Sequence, residues 1–203
     1  KNILNKSDLS IPDGKGLTIA SRFLFKQKLH RTPGVNLMLM ILSEAVQNNK
    51  SIFLLGGRGD TAKNLKNILE KKFPGLNIVG AESGGDIPNP ESVDPALIKK
   101  IKDSQANILF VAFGHGLQEK FLHHYLPEFS SVQIGIGVGG AFDFLTGNVA
   151  RAPKVIQKLG FEWLFRFIRQ PWRWRRIINA LIIFPFLIIT KGSINSKPNE
   201  NNA

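Results

Sequence analysis

Three times along this chain a short apolar segment runs into glycine or polar residues, and an amphipathic helical pattern then follows. These units span residues 51–73, 107–126 and 132–151. The segment 107–113, NILFVAF, is almost wholly apolar, as a strand buried on both faces of a parallel sheet requires. Because strands that alternate with helices form parallel sheets with crossover helices, the sequence predicts a doubly wound α/β domain with a mostly parallel sheet.

The last of these units contains the segment Gly135 to Pro153, which reads GIGVGGAFDFLTGNVARAP. Glycines at the carboxyl end of a strand let the backbone approach a ligand closely. Asp143 lies between two phenylalanines, and Arg151 offers a planar cation suited to phosphate or carboxylate. We interpret the segment as a nucleotide-sugar or phosphate pocket at the end of a parallel sheet. The alternative is a tight strand-to-helix connection in which glycine serves only the backbone geometry.

The other two units place glycines at the same position in the pattern. Gly56-Gly57-Arg58-Gly59 separates a predicted strand at 51–55 from a predicted helix at 61–73, and such a loop can present backbone N–H groups to phosphate. It is not a P-loop, because the Gly-Lys-Ser/Thr ending is absent. In the middle unit Gly114-His115-Gly116 follows the strand, and a helix is predicted over 120–126.

Near the start of the chain, Pro12-Asp13-Gly14 places a carboxylate at a predicted turn between a short strand end at 9–11 and a helix at 16–25. Ligands of α/β sheets bind beside such turns. Pro-Asp-Gly is also a common β-turn, and without other observations that simpler reading is favoured. A further helix is predicted over 35–48, with Met38 and Met40 expected in the core.

Positive charge is concentrated in the last quarter of the chain. The net charge is +12, and residues 151–191 contain nine Lys and Arg against one acidic residue. Interleaved Trp and Arg at 172–176 precede the apolar run 177–190, a pattern typical of a peripheral helical appendage at an anionic membrane surface. The alternatives are a helical hairpin packed on the core or an interface in a homo-oligomer. The apolar run is too short for a membrane span and contains Pro185.

Several classes of site are excluded or disfavoured. The chain has no cysteine, so disulfides and thiolate zinc sites are excluded. The glycines of 135–140 begin inside the predicted strand, and no complete βαβ unit follows them, so a dinucleotide site is disfavoured. His123 and His124 are adjacent on a predicted helix and point in different directions, so we expect solvated surface rather than a metal site. RNA binding by the Trp-Arg cluster would not need the apolar run that follows, so no nucleic-acid partner is predicted.

Six motifs, in order over about residues 5–180, resemble the WecG/TagA/CpsF family of bacterial glycosyltransferases. They are DLSIPDG at 8–14, FLLGG at 53–57, Gly114-x-x-x-Gln118-Glu119, GVGGAFDF at 137–144, Gly147-x-x-x-Arg151-Ala-Pro153, and Glu162-Trp163-x-x-Arg166 followed by Pro171-x-Arg173-x-x-Arg176. The resemblance implies metal-independent, inverting transfer of an N-acetylmannosamine-type sugar from a UDP donor, without a cofactor. The implied acceptor is an undecaprenyl-diphosphate-linked sugar at the cytoplasmic face of the membrane, in teichoic acid or surface polysaccharide synthesis.

The resemblance also assigns roles to residues. Asp13 would be the general base that deprotonates the acceptor hydroxyl, and Arg166, Arg173 and Arg176 would neutralise the charge of the leaving diphosphate. The residues implied for substrate binding lie mostly in loops at strand ends. They are Gly14, Arg31, Asn36, Gly56, Gly57, Gly114, Gln118, Glu119, Gly137, Gly139, Gly140, Phe142, Asp143 and Arg151.

The chain departs from the family pattern in two loops. Gly116 and Leu117 replace Pro and Lys, which removes one expected donor contact, and His30 and Asn36 replace two carboxylates, which bears on the choice of acceptor. The chain begins at Lys1 in polar sequence, and we expect that an N-terminal piece is missing. A non-catalytic nucleotide-binding or scaffold protein at the membrane is the main alternative function.

The expected organisation has three parts. Residues 1–153 form a Rossmann-like α/β catalytic domain, residues 154–191 form the helical basic appendage, and residues 192–203 are a polar, disordered tail.

Overall fold

The computed structural model describes residues 2–13, 18, 21–22, 26–85, 89, 92–150, 152–153, 156, 164–165 and 168. The chain divides into two compact units, one of Lys1–Ser10 and Gly34–Ala150 and the other of Ile11–Pro33 and Arg151–Ala203. The first unit contains the sheet. The predicted appendage and tail lie outside the described residues, apart from a few isolated positions, and both stay predictions.

Strands and helices alternate through the first unit. Their order is α1 (Asn2–Asn5), α2 (Gly34–Gln47), β1 (Ser51–Gly56), α3 (Thr61–Lys72), β2 (Asn77–Glu82), α4 (Pro95–Asp103), β3 (Ile108–Ala112), α5 (Leu117–Tyr125), a 3-10 turn (Leu126–Glu128), β4 (Ile134–Gly137) and α6 (Ala141–Leu145).

The four strands form one parallel sheet in the order β2-β1-β3-β4. In its central rows Leu54 pairs with Phe110, and Phe110 pairs with Ile136. The chain leaves β1 toward β2 on one side and then crosses back to β3 on the other side. The prediction of a doubly wound α/β fold with a parallel sheet is therefore confirmed for the part of the chain that the structure describes.

Each face of the sheet carries its own hydrophobic layer. Ile52 and Leu54 point toward the layer that contains α2, α3 and α6, whereas Phe53 and Leu55 point toward the layer that contains α4 and α5. Successive side chains of a strand point to opposite faces, so a strand covered on both faces must be apolar at every position. This is why β1 is buried at all six residues and why 107–113 lacks an alternating pattern.

Helix α2 corrects one prediction about the core. Met38 is fully buried, as expected, but Met40 is 63% exposed, so the prediction that Met40 packs in the core is wrong. The helix buries Val35, Met38, Leu42 and Ala45 against the sheet. Because the sequence from Leu37 to Leu42 is apolar at every position, its pattern does not distinguish the buried face from the exposed one.

Two other boundaries differ from the sequence predictions. Residues 9–13 form neither strand nor helix, so the strand end predicted at 9–11 is wrong. Helix α5 begins at Leu117 rather than at Lys120, because Glu119 folds back to accept a hydrogen bond from the N–H of Gly116 at 2.6 Å. This contact satisfies a backbone donor that would otherwise be unpaired at the helix start. Among the described residues, no helix has the length and apolar character needed to cross a membrane.

Helices α3 and α4 both start after an aspartate, but only one aspartate caps its helix. The Asp94 carboxylate accepts a hydrogen bond from the N–H of Ala96 at 2.9 Å, whereas Asp60 makes no side-chain capping bond. We therefore expect Asp94→Ala to lower the free energy of unfolding by about 1 kcal/mol. The matched variant Asp60→Ala should lower it by only a few tenths of a kcal/mol. Urea denaturation of both variants measures the difference, and equal losses would contradict the assignment of Asp94 as a cap.

Candidate functional site

The glycine junctions that follow β1, β3 and β4 lie at one edge of the sheet. All strands are parallel, so their carboxyl ends meet at the same edge. The chain reverses its winding direction between β1 and β3, which makes the gap between the loops after these strands the topological switch point of the sheet. Ligands of doubly wound sheets bind in this crevice.

The loop after β1 is pressed against the end of β3. A Cβ atom on Gly56 would lie 2.7 Å from the carbonyl carbon of Ala112, and the φ angle of Gly56 is +115°. The N–H of the next residue, Gly57, donates a hydrogen bond to the carbonyl oxygen of Ala112 at 3.2 Å. Only glycine fits at position 56, both for space and for backbone angle. These contacts place Gly56 and Gly57 directly beside the β3 junction.

A hydrogen-bonded pair that the sequence did not reveal supports the same loop. The hydroxyl of Thr61 is buried and donates to the carbonyl oxygen of Arg58 at 2.7 Å. The amide of Asn148, in the loop after α6, donates to that hydroxyl at 3.3 Å. Residues 61 and 148 are far apart in the chain, and no motif links them. The pair joins the loop after β1 to the segment that leads toward Arg151.

The junction after β3 is held by three consecutive hydrogen bonds. One carboxylate oxygen of Glu119 accepts from the N–H of Gly116 at 2.6 Å, and the other accepts from the side-chain amide of Gln118 at 3.1 Å. The side-chain oxygen of Gln118 accepts from the N–H of Gly139 at 2.9 Å. His115 is exposed, with Nδ1 3.5 Å from Glu119. Both polar atoms of Gln118 therefore bond to the protein itself.

The junction after β4 leads into the short helix α6. Phe142 is buried in the hydrophobic layer that contains α2, α3 and α6. Asp143 is half-buried, and its carboxylate makes no hydrogen bond or ion pair with another described residue. The start of α2 approaches the same place, since a Cβ on Gly34 would lie 3.7 Å from the carbonyl oxygen of Val138. Asn36, two residues further along α2, is exposed.

The edge of the sheet thus combines glycine loops with the half-buried carboxylate of Asp143, whereas both carboxylate oxygens of Glu119 already bond within the protein. A ligand can approach the backbone of glycine closely, and a carboxylate accepts hydrogen bonds from sugar hydroxyls. The sequence-predicted residues that the fold brings to this edge are Asn36, Gly56, Gly57, Gly114, Gln118, Glu119, Gly137, Gly139, Gly140, Phe142 and Asp143.

Asp13 and Arg31 belong to the second unit, where they contact each other. The Nε of Arg31 donates to the backbone carbonyl of Asp13 at 2.6 Å, and the N–H of Thr32 donates to the carbonyl of Pro12 at 3.0 Å. The two segments therefore run side by side. The side chain of Asp13 is exposed, and its carboxylate makes no hydrogen bond to another described residue. Arg31 thus holds the backbone of the turn.

The remaining predicted site residues, Gly14, Arg151, Arg166, Arg173 and Arg176, lie outside the described residues. His123 and His124 are exposed on α5, as the sequence predicted. Across the described ranges, no three His, Cys, Asp or Glu side chains gather as potential metal ligands.

Comparison with known proteins gives a consistent result. The model of the glycosyl transferase WecG/TagA/CpsF family matches residues 1–198. The N-acetylglucosaminyldiphosphoundecaprenol N-acetyl-beta-D-mannosaminyltransferase of Bacillus subtilis strain 168 is 34% identical over 179 residues, covering 88% of this chain and 67% of the relative. Proteins with the same name from Bacillus spizizenii W23 and Staphylococcus aureus MW2 are 32% and 30% identical, covering 87% and 92% of this chain and 66% and 70% of those relatives. The chain therefore spans about two thirds of the length of these relatives.

Proposed function

Since the chain belongs to the WecG/TagA/CpsF family of glycosyltransferases, we propose that it transfers N-acetylmannosamine from a UDP donor to undecaprenyl-diphosphate-linked N-acetylglucosamine. The observation that carries this proposal is the similarity, over 88% of the chain, to a transferase whose name states that sugar and that acceptor. The product would enter the synthesis of teichoic acid or a related cell-wall polysaccharide.

The donor would bind at the carboxyl edge of the sheet. The crevice at the switch point supports this placement, because glycines in its loops let the backbone approach a ligand closely. Asp143 supports it as well, since its half-buried carboxylate makes no bond to another described residue and can accept hydrogen bonds from sugar or ribose hydroxyls. Gly56, Gly57, Gly114, Gly139 and Gly140 would line the donor site.

Asp13 would act as the general base. An inverting transfer forms the new bond by in-line attack of the acceptor hydroxyl on the anomeric carbon, while the bond from that carbon to UDP breaks and the hydroxyl proton passes to the carboxylate. The Asp13 carboxylate is exposed and without a described partner, and Arg31 anchors the backbone beneath it. An anchored turn whose acid makes no bond to another described residue suits this role.

The leaving diphosphate needs positive charge. In a metal-independent reaction, side-chain cations must stabilise the charge that develops on UDP. Arg151, Arg166, Arg173 and Arg176 are the proposed source of this charge, and the same basic region is proposed to contact the anionic surface of the membrane that holds the acceptor. The enzyme would then work as a peripheral protein at the cytoplasmic face.

The proposed function is tested by UDP release. The full-length gene product in detergent, without added metal, should release UDP from UDP-N-acetylmannosamine only when a short-chain polyprenyl-diphosphate-N-acetylglucosamine acceptor is present. UDP-N-acetylglucosamine serves as the matched donor control and should give little release. UDP binding without release for either donor would contradict the proposed sugar pair and favour a nucleotide-binding scaffold, to which the departures at His30, Asn36, Gly116 and Leu117 also point.

A further inference from the structure

We infer that Gln118 is a positioning residue, which sets the loop after β4 through a chain of side-chain hydrogen bonds instead of contacting the substrate. These hydrogen bonds run from the N–H of Gly116 through Glu119 and Gln118 to the N–H of Gly139. They join the loops that follow two neighbouring strands. The expected change in donor KM rests on the proposed function. The expected change in the loop after β4 does not.

The N–H of Gly139 lies just beyond the reach of the sheet. The last ladder bond between β3 and β4 runs from the N–H of Val138 to the carbonyl of Val111 at 2.9 Å. Strand β4 lies at the edge of the sheet and ends at Gly137, so the next N–H of the chain, that of Gly139, has no strand partner. The side-chain oxygen of Gln118 takes this position at 2.9 Å. A partly buried backbone donor requires such an acceptor.

The hydrogen-bonding partners fix the orientation of the Gln118 amide. Its oxygen faces an N–H donor, and its nitrogen faces the carboxylate of Glu119, which only accepts. A flipped amide would place donor against donor and acceptor against acceptor, so one orientation is strongly preferred. With only 6% of its surface exposed, Gln118 has both polar atoms occupied and little access to a ligand.

The side chain of Gln118 packs closely against Gly137 in β4. A Cβ on Gly137 would lie 2.5 Å from the side-chain nitrogen of Gln118 and 2.7 Å from its Cδ. The glycine in β4 thus makes room for the Gln118 amide beside the strand. This gives Gly137 a packing role that differs from the ligand contact the sequence predicted for it.

Loss of the Gln118 contact would affect the site because Gly139 and Gly140 lead directly into α6. These two residues connect β4 to the helix that carries Asp143. Gly139 has a φ of +54°, a backbone state that needs support to remain the only one populated. Removing the Gln118 contact should therefore loosen the placement of Asp143, which weakens donor binding more than it slows the chemical step.

A swap of the two side chains tests this inference. At a pH at which both carboxylates are ionised, Gln118→Glu alone places them together without the amide donor, so the donor KM should rise about tenfold and kcat should fall less than about threefold. The double variant Gln118→Glu with Glu119→Gln restores a donor and an acceptor at every step of the chain, with no change in net charge. It should bring the donor KM back to within about threefold of wild type.

Hydrogen exchange at the Gly139 amide, followed by NMR in the full-length protein, provides a readout without substrate. Exchange should be about tenfold faster in Gln118→Glu and return toward the wild-type rate in the double variant. Gln133→Glu, the same change at an exposed glutamine, is the control and should alter neither readout. Unchanged exchange in the single variant, or a double variant as impaired as the single one, would overturn the inference. If the wild-type protein transfers no sugar, the proposed function fails, and the exchange rates alone still decide the role of Gln118.

Discussion

Asp13→Asn should lower kcat by about three orders of magnitude, which is in the range expected for removal of a general base. Asparagine has nearly the same shape, but its amide does not take up a proton from the acceptor hydroxyl. The contact from Arg31 goes to the backbone carbonyl of residue 13, so the substitution leaves this anchor in place. Binding of UDP should stay within about twofold of wild type, because only a basic oxygen is lost.

The measurement is acceptor-dependent UDP release, combined with UDP affinity from calorimetry. Asp103→Asn is the matched control, since Asp103 is an exposed carboxylate on α4 that forms a surface ion pair with Lys99. Such pairs contribute little to stability, and Asp103 lies outside the candidate site, so this variant should keep wild-type kinetics. If Asp13→Asn retained more than about a tenth of the wild-type rate, the assignment of Asp13 as the base would be wrong.

Gly56→Ala should destabilise the protein by about 4 kcal/mol and lower the Tm by about 10 °C. Two effects add at this position. A methyl group would lie 2.7 Å from the Ala112 carbonyl carbon and 2.8 Å from its oxygen, which forces β1 and β3 apart at their carboxyl ends. In addition, a φ of +115° is unfavourable for any residue with a side chain.

Gly59→Ala separates the two effects in the same loop. Gly59 has a φ of +52°, but a Cβ there would meet nothing within 4 Å, so only backbone strain remains. We expect a loss of about 1 kcal/mol from this strain. Urea unfolding and thermal melts of both variants measure the difference. Equal losses for Gly56→Ala and Gly59→Ala would show that close packing against Ala112 does not stabilise the switch point.

The sequence predicted the strands well because strands buried on both faces leave a strong pattern. Continuous apolar segments bounded by glycine marked β1 and β3, and both lie within two residues of the expected positions. The alternation with helices was enough to predict a parallel sheet, since parallel strands need crossover connections. The same reasoning failed at residues 9–13, where two apolar residues beside a turn form no strand.

The fold brings the predicted loops to one edge of the sheet, while the roles of their residues stay predictions. The glycine motifs indicated which loops would meet, because the carboxyl ends of parallel strands share an edge. The sequence did not reveal what these residues do within the edge. Gln118 was predicted to contact substrate, yet its two polar atoms bond to Gly139 and Glu119, and Thr61 and Asn148 carried no signal at all. Hydrogen-bond partners distant in sequence emerge only once the strands are in register.

The sequence by itself determined the fold class, the family and the loops of the site, since each depends on local patterns or ordered motifs. Only the tertiary structure decided which face of α2 is buried. The segment 37–42 is apolar throughout, so the sheet, and not the helical period, exposes Met40 and buries Met38 and Leu42. Likewise, Gly56 and Gly137 are glycines because of neighbours that the fold brings to them, namely Ala112 and the Gln118 amide. Space around a residue is a property of the packed chain, and a linear pattern does not specify it.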